Sequence, residues 1–369
     1  MTIGVLREGD HENRVCLLPE HIPSLTKKNI SVIVEAGAGK SAYTDDVQYK
    51  EAGAKIRNRN QVLNEADVLL TLSVADDDRL PEGKVLISLL NPLSNKPLVK
   101  KLAGSGITSY SLDMIPRSTR AQAVDVLSSM ATVAGYKAVL VAAARLPNFF
   151  PMFMSASGTI KPSRVLILGA GVAGLQALAT ARKLGAVVEV FDVRSAVKEE
   201  VLSLGGKFVE VEGAVDDASA GGYAVEQTED YKRKQGELIQ QRARQSNVVI
   251  TTAQIPGKTA PVLIRKETVQ AMKPGSVIID LAAGTGGNCE LTKKDETVVH
   301  QGVTIIGHSN FPSTMPVDAS RMLGKNMLNF LELMVDAEGK LNLDVEDEIV
   351  QKTCITRNGD IVNERIREN

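Results

Sequence analysis

The sequence predicts an α/β protein of two Rossmann-like domains with parallel sheets, joined by long helices and with a cleft between them. Three observations carry that expectation. Short apolar runs alternate with helical stretches from the N-terminus to about residue 115, the rhythm of crossover helices on a parallel sheet. A second series of the same kind starts at Val165 and opens on a glycine-rich turn. The chain length, 369 residues, suits two domains better than one.

In the first domain the strand-like runs are Ile3–Leu6, Ile30–Val34, Val68–Leu72, Val85–Leu89 and Ile107–Leu112, with helical stretches such as Ile22–Lys28 and Pro97–Leu102 between them. Gly39-Lys40-Ser41 looks like the end of a phosphate loop, but the first glycine that loop requires would fall at Val34, which excludes a P-loop nucleotidase. After Pro116 the segment RSTRAQAVDVLSSMATVAGYKAVLVAAA reads as one long helix bridging the domains. Gln122, Asp125 and Ser128 are spaced by three and share a face of that helix, with Arg117 just upstream. The residues alone leave two readings open, a functional cluster or a solvated polar face.

The second domain is organised around VLILGAGVAGLQALATARKLGAVVEVFDVR, Val165 to Arg194. Val165–Leu168 is an uninterrupted apolar run, as in a parallel strand buried on both faces. The chain then turns on Gly169, Gly171 and Gly174, spaced G-x-G-x-x-G, with Val172 and Ala173 between the last two. Leu175, Leu178, Ala181 and Leu184 follow at helical spacing, and Gly185 stands at the C-cap. A second strand, Val187–Phe191, delivers Asp192 18 residues past Gly174. Each part has a task in holding a dinucleotide: the first glycine allows the turn, the second admits a pyrophosphate, and the third lets helix and strand pack closely. The helix N-terminal amides then face the phosphate charge. A carboxylate at Asp192 suits the ribose of NAD(H) and repels a 2′-phosphate, whereas Arg194 nearby is of the kind that accommodates one.

Further along, Glu212 to Glu229 is a glycine- and acid-rich stretch without a period, expected to be a functional lid or disordered. Val248–Thr252 is a buried strand leading into TTAQIPGKTAP, so Thr252, Ala253 and Gln254 lie at a strand's C-terminal end, where open α/β sheets bind ligands. Val277–Leu281 and Val303–Ile306 complete the strands, and a helix over Ala319–Val335 returns the chain to the first domain. The strand-like Lys352–Thr356 and a turn at Asn358-Gly359 finish that domain. The expected domains are 1–129 with 317–369, and 130–316.

Composition excludes several functions. Lys and Arg number 43 against 44 Asp and Glu, and aromatic residues are 4% with no Trp, so there is neither a field for nucleic acid nor a base-stacking surface. Cys16, Cys289 and Cys354 are scattered and odd in number, which suggests neither a disulfide framework nor a metal site. The N-terminus lacks the apolar core of a signal peptide, and the longest apolar stretch, Ala138–Ala144, is closed by Arg145. A cytosolic, reduced protein is expected.

Taken together, PRSTRAQAVDVLSSMATVAGY, LGAGVAGLQA, the AGGYA loop (Ala220–Ala224), TTAQIPGKTAP and LAAGTGGNCE resemble the NAD(H)-binding domain of proton-translocating nicotinamide nucleotide transhydrogenase, in the form where it is a separate α subunit. The resemblance covers essentially the whole chain. It implies that Arg117, Gln122, Asp125 and Ser128 surround the nicotinamide ring and that Gly222 and Tyr223 belong to a mobile loop closing over the nucleotide. The cofactor-binding set is then Gly169, Gly171, Val172, Ala173, Gly174, Asp192, Val193, Arg194, Gly222, Tyr223, Thr252, Ala253 and Gln254. Gln254 and Gly284 depart from the family pattern, which has an aliphatic residue and Gln or Glu. The resemblance also implies an NADP(H)-binding partner, membrane-spanning subunits, a homodimer, and a cytoplasmic place on the inner face of the cell membrane through those partners.

Alanine dehydrogenase shares the fold and is the competing family. Its chemistry needs a base and cationic groups for the substrate carboxylate; where that family has a lysine, a histidine and an aspartate, this chain has Thr71 and Ser73, Asn91, and Gly284. Only Arg14 remains of that set. Direct hydride transfer between two nicotinamides needs no proton exchange with a side chain, only two rings held in register with water excluded. A non-catalytic NAD(H)-binding module is the third possibility, against which the gathered polar residues at 117–128 argue.

Overall fold

The computed structural model describes residues 1–75, 79–211, 228–255 and 257–367. Two compact units are present, Met1–Met130 with Pro312–Asn369, and Ala131–Phe311. In chain order the strands are β1 (Thr2–Val5), β2 (Ser31–Glu35), β3 (Lys55–Arg57), β4 (Val68–Leu70), β5 (Val85–Ser88) and β6 (Thr108–Ser111). A hairpin of β7 (Phe153–Ser155) and β8 (Gly158–Ile160) precedes β9 (Arg164–Leu168), β10 (Val187–Phe191) and β11 (Lys207–Phe208). Then come β12 (Val248–Thr251), β13 (Val277–Asp280), β14 (Thr297–His300), β15 (Val303–Ile306), β16 (Cys354–Arg357) and β17 (Asp360–Ile361).

The first unit's sheet has the order β17-β16-β6-β5-β4-β1-β2-β3. Strands β1 to β6 pair in parallel, and β16 adds to β6 antiparallel. The second unit's sheet runs β11-β10-β9-β12-β13-β15-β14, parallel except for the edge strand β14. Both are α/β sheets of Rossmann type. In each sheet the chain works outward from one strand and then returns to that strand's other side, at β1 and at β9. These switch points are where such sheets open a crevice for ligands.

Strand β9 shows why its sequence is a continuous apolar run. Val165 and Ile167 face a core that includes Ala138, Val139 and Ala142, whereas Leu166 and Leu168 face another that includes Val249, Ile264 and Ile278. From Val165 to Leu168 both faces are covered, so no position there alternates to polar. Ala138, Val139 and Ala142 come from the helix Val126–Arg145, whose mean hydropathy of 1.5 makes it long and apolar enough to cross a membrane by composition. Their complete burial against β9 gives the apolar stretch a place in a protein core.

Several strands lie outside the sequence expectations, and each has a reason. Strand β3 carries Lys55 and Arg57, β11 spans two residues, β14 alternates at an edge, and the β7-β8 hairpin is exposed along its length. None forms a buried apolar run. The expected single helix after Pro116 is also broken. Thr119–Val124 is a 3-10 helix, and Asp125, at φ −74° and ψ 87°, separates it from Val126–Arg145. Asp125 instead accepts from the Ser128 amide at 2.9 Å and from its hydroxyl at 2.6 Å, in the manner of an N-cap. Gln122, Asp125 and Ser128 therefore do not share one helix face.

At the first unit's switch point Glu8 follows β1 and is buried. Its carboxylate accepts from the Thr71 hydroxyl at 2.8 Å, the Leu72 amide at 2.6 Å, and the amide and hydroxyl of Ser73 at 3.2 Å. Burial outweighs these bonds and pushes its pKa up to about 6.

Two expectations follow. A Cβ on Gly135, in the helix Val126–Arg145, would stand 2.1 Å from the Ala173 carbonyl oxygen. Gly135→Ala should therefore lower stability by about 1–3 kcal/mol, although alanine in an open helix would raise it by about 1 kcal/mol. Urea unfolding decides, and a stabilised variant means that this helix and the start of the helix Val172–Lys183 do not pack so closely. For Glu8, the folded carboxyl keeps its proton to about pH 6, against an ordinary value of 4.5. Its favourable contribution is complete below pH 4.5 and is lost as pH rises through 6. The stability of the wild type relative to Glu8→Gln should fall by about 2 kcal/mol between pH 4.5 and 7; a difference flat with pH would show that Glu8 ionises normally.

Candidate dinucleotide site

The glycines after β9 are held by three different demands. Gly169 has φ +109°, and a Cβ there would lie 2.3 Å from the Thr252 hydroxyl. Gly174 sits directly over the turn, where a Cβ would lie 1.9 Å from the Gly169 carbonyl oxygen. Gly171 differs from both: its φ is −78°, and nothing lies within 4 Å of its Cβ position. Neither backbone strain nor packing within the protein requires glycine there. The open space stands at the N-terminus of the helix Val172–Lys183, where Gly171 offers no side-chain cap. First-turn amides without a cap beside open space suit an anionic group.

Asp192, at the end of β10, closes one side of this turn. One carboxylate oxygen accepts from the Ala170 amide at 2.7 Å and from the Arg194 guanidinium at 2.8 Å. The other accepts from the Arg194 amide and Nε, both at 2.9 Å. The acid is thus tied to the turn on one side and paired bidentately with Arg194 on the other. Burial alone would raise its pKa, but the bonds from Arg194 and Ala170 prevail and hold it below the usual carboxylate range. It keeps its charge. Arg194 therefore pairs with Asp192 in this structure through Nε and Nη2. Val193 packs on the core beneath, while Val172 is exposed at the helix start.

The segment after β12 completes the arrangement. Thr252 donates its amide to the Leu168 carbonyl at 2.9 Å and its hydroxyl toward the Gly169 carbonyl at 3.2 Å. Ala253 is gripped by a side chain that sequence reasoning missed. Asn288 is fully buried; its Oδ1 accepts from the Ala253 amide at 3.0 Å, and its Nδ2 donates to the carbonyls of Ala253 at 2.9 Å and Pro261 at 2.8 Å. Asn288 is placed in turn by Asp280, also fully buried. Asp280 accepts from the amides of Ala282, Asn288 and Cys289 and from the hydroxyls of Thr251 and Thr292, at 2.6–3.0 Å. The signal was a lone acid ending an apolar strand, followed by an Asn in GGNCE. Gln254, one of the two departures, donates to the Leu281 carbonyl at 2.8 Å and so ties the loops after β12 and β13. Gly284, the other, has Ser309 at 3.4 Å from its Cβ position.

The structure thus gathers Gly169, Gly171, Val172, Ala173, Gly174, Asp192, Val193, Arg194, Thr252, Ala253 and Gln254 about the β9 switch point. Gly222 and Tyr223 lie outside the described residues. Arg117, Gln122, Asp125 and Ser128 belong to the first unit. There Gln122 is exposed on the 3-10 helix, Asp125 and Ser128 are bonded to each other, and Arg117 is exposed. Arg14, the remnant of an amino-acid substrate set, is bound in a fork by Glu12 at 2.6–2.8 Å.

Comparison with known proteins agrees with this geometry. The family described as alanine dehydrogenase/PNT matches through its N-terminal domain over residues 4–134 and its C-terminal domain over 138–364. The first part of NAD(P) transhydrogenase subunit alpha from Rhodospirillum rubrum is 47% identical over 364 residues, covering 95% of each chain. Alanine dehydrogenase of Mycolicibacterium smegmatis is 28% identical, over 99% of this chain and 96% of its own length. The crystal structure of transhydrogenase from Sinorhizobium meliloti superposes with a TM-score of 0.89 at 39% identity, covering 98% of this chain and all of that one. The chain belongs to the alanine dehydrogenase/PNT family, among the relatives of the transhydrogenase alpha subunit.

Proposed function

We propose that this chain is the NAD(H)-binding subunit of a proton-translocating transhydrogenase, active only with its NADP(H)-binding partner. NAD(H) lies against the Gly169–Gly174 turn, and NADP(H) is held on the partner. Hydride passes directly between the two nicotinamides, coupled to proton movement by membrane-spanning subunits. The chain works as a homodimer on the cytoplasmic face of the membrane, held there through its partners.

One observation carries the reading most. Gly171 leaves unfilled space at an uncapped helix start, beside an acid that stays ionised. A pyrophosphate suits the first and a ribose hydroxyl pair the second. Asp192 orients the adenosine end and disfavours a 2′-phosphate, and Arg194 adjusts to share it. Thr252, Ala253 and Gln254 border the dinucleotide farther along, and Gly222 and Tyr223 close over it. Arg117, Gln122, Asp125 and Ser128 orient the ring and its carboxamide and shut out water, with no proton to exchange.

The amino-acid dehydrogenase reading has less support. Thr71 and Ser73 are committed to Glu8, and Arg14 is bound by Glu12. Mixing the protein with a matching NADP-binding subunit and following hydride exchange between NADH and an NADP analogue tests the proposal directly.

Two substitutions sharpen it. Asp192→Ala should weaken NADH by about 1.5–3 kcal/mol, the worth of hydrogen bonds to a charged group, and relax the preference over NADPH. An unchanged preference by calorimetry removes Asp192 from the site. Gln122→Asn and Asp125→Asn should slow hydride transfer on the order of a hundredfold, the cost of about 1 Å of misplacement, while NADH affinity changes by about 1 kcal/mol or less. Asn at 125 keeps the acceptor for the Ser128 amide, so the cap survives. Equal loss of rate and affinity would reduce the cluster to a binding surface, and no loss in either would make it a solvated face.

A further inference from the structure

The segment that presents Gln122 and Asp125 is short and mostly exposed. Between those two residues in the chain stands Ala123, and its carbonyl oxygen accepts from two side-chain amides. Asn326 Nδ2 donates to it at 2.9 Å and Asn329 Nδ2 at 2.7 Å. Both come from the helix Pro316–Glu332, three residues apart and so on one face. Among the described residues, the segment's other polar tie to a distant part of the fold is the ion pair of Arg120 with Asp347, at an exposed side chain.

Asn326 also has a feature that packing alone does not explain. It is only 6% exposed, and its Oδ1 has no hydrogen-bond partner among the described residues. The amide cannot be turned over to relieve this, because Nδ2 is the atom that Ala123 requires. A buried acceptor without a donor is a net cost to the fold. Leucine has a similar volume and would remove it.

We propose that Asn326 and Asn329 are positioning residues for hydride transfer: together they fix the Ala123 carbonyl and thereby the placement of Gln122 and Asp125. This rests on the reading that Gln122 and Asp125 orient the nicotinamide. Two donors converging on one oxygen restrain the peptide in more directions than one donor does. A loop so restrained presents its side chains at a constant place, which is what a transfer sensitive to sub-ångström error demands.

The experiment uses the full chain carrying Asn326→Leu, Asn329→Ala or both. Four properties are followed: thermal melting, hydrogen exchange of the peptide spanning 119–128, NADH dissociation constant, and hydride transfer to an NADP analogue on the partner subunit. Asn326→Leu should melt at or above the wild-type temperature while the 119–128 amides exchange faster. Transfer should fall roughly tenfold in each single variant and further in the double, with NADH affinity kept within about twofold. Unchanged exchange at 119–128 overturns the proposal whatever the rates do. So does unchanged transfer in variants whose wild type is active, or a rate that falls only in step with melting temperature or affinity. Should the wild-type chain bind NADH yet transfer no hydride with its partner, the functional reading fails instead, and the exchange arm still decides whether the two amides fix the segment.

Discussion

The helix Val172–Lys183 lies so close to the turn before it that only hydrogen fits on the Cα of Gly174, because the Gly169 carbonyl oxygen occupies the remaining space. From that contact much of the second unit follows. A helix seated this low presents its first amides at the mouth of the turn instead of above it, and β9 must be buried on both faces to receive it. Asp192 then fastens the turn from the side through the Ala170 amide. Gly135 lets a second helix approach the Ala173 carbonyl from elsewhere. Three backbone segments meet without side chains between them, and an open space at Gly171 is left over.

What could be read in the sequence was local and periodic. The strand, the glycine spacing, the helix and the acid at the end of β10 are consecutive, and each is forced by short-range sterics. The two units' sheets follow from the same alternation of apolar runs and helical stretches. What could not be read depended on partners far along the chain. The break at Asp125 is invisible to a spacing argument because Asp, Ser and Val are all tolerated within a helix; only the bonds to Ser128 show a cap. Asn288 drew no expectation of its own, because its amide bonds both the N–H and the C=O of Ala253, 35 residues back. Gln254 reads only as a departure from pattern until its bond to the Leu281 carbonyl is seen, and the need for glycine at 135 comes from Ala173, far along the chain.

The first unit keeps the layout of a site at its switch point but turns its polar groups on one another. Glu8 takes up Thr71 and Ser73, and Glu12 takes up Arg14. Carboxylates supplied by the chain itself occupy donors that could otherwise hold a substrate's carboxylate. These hydrogen bonds order this corner of the fold.

The helix Val126–Arg145 carries a consequence for the chain while it is being made. Its apolar residues emerge from the ribosome before β9, β10 and β12, the strands that later cover them. At that moment the segment is as apolar as a modest membrane span. Near its middle stands Lys137, and a lysine at the centre of an inserting helix opposes insertion by about 2.5–3.5 kcal/mol. That central cation resists the bilayer during synthesis and leaves the segment to the fold that buries it.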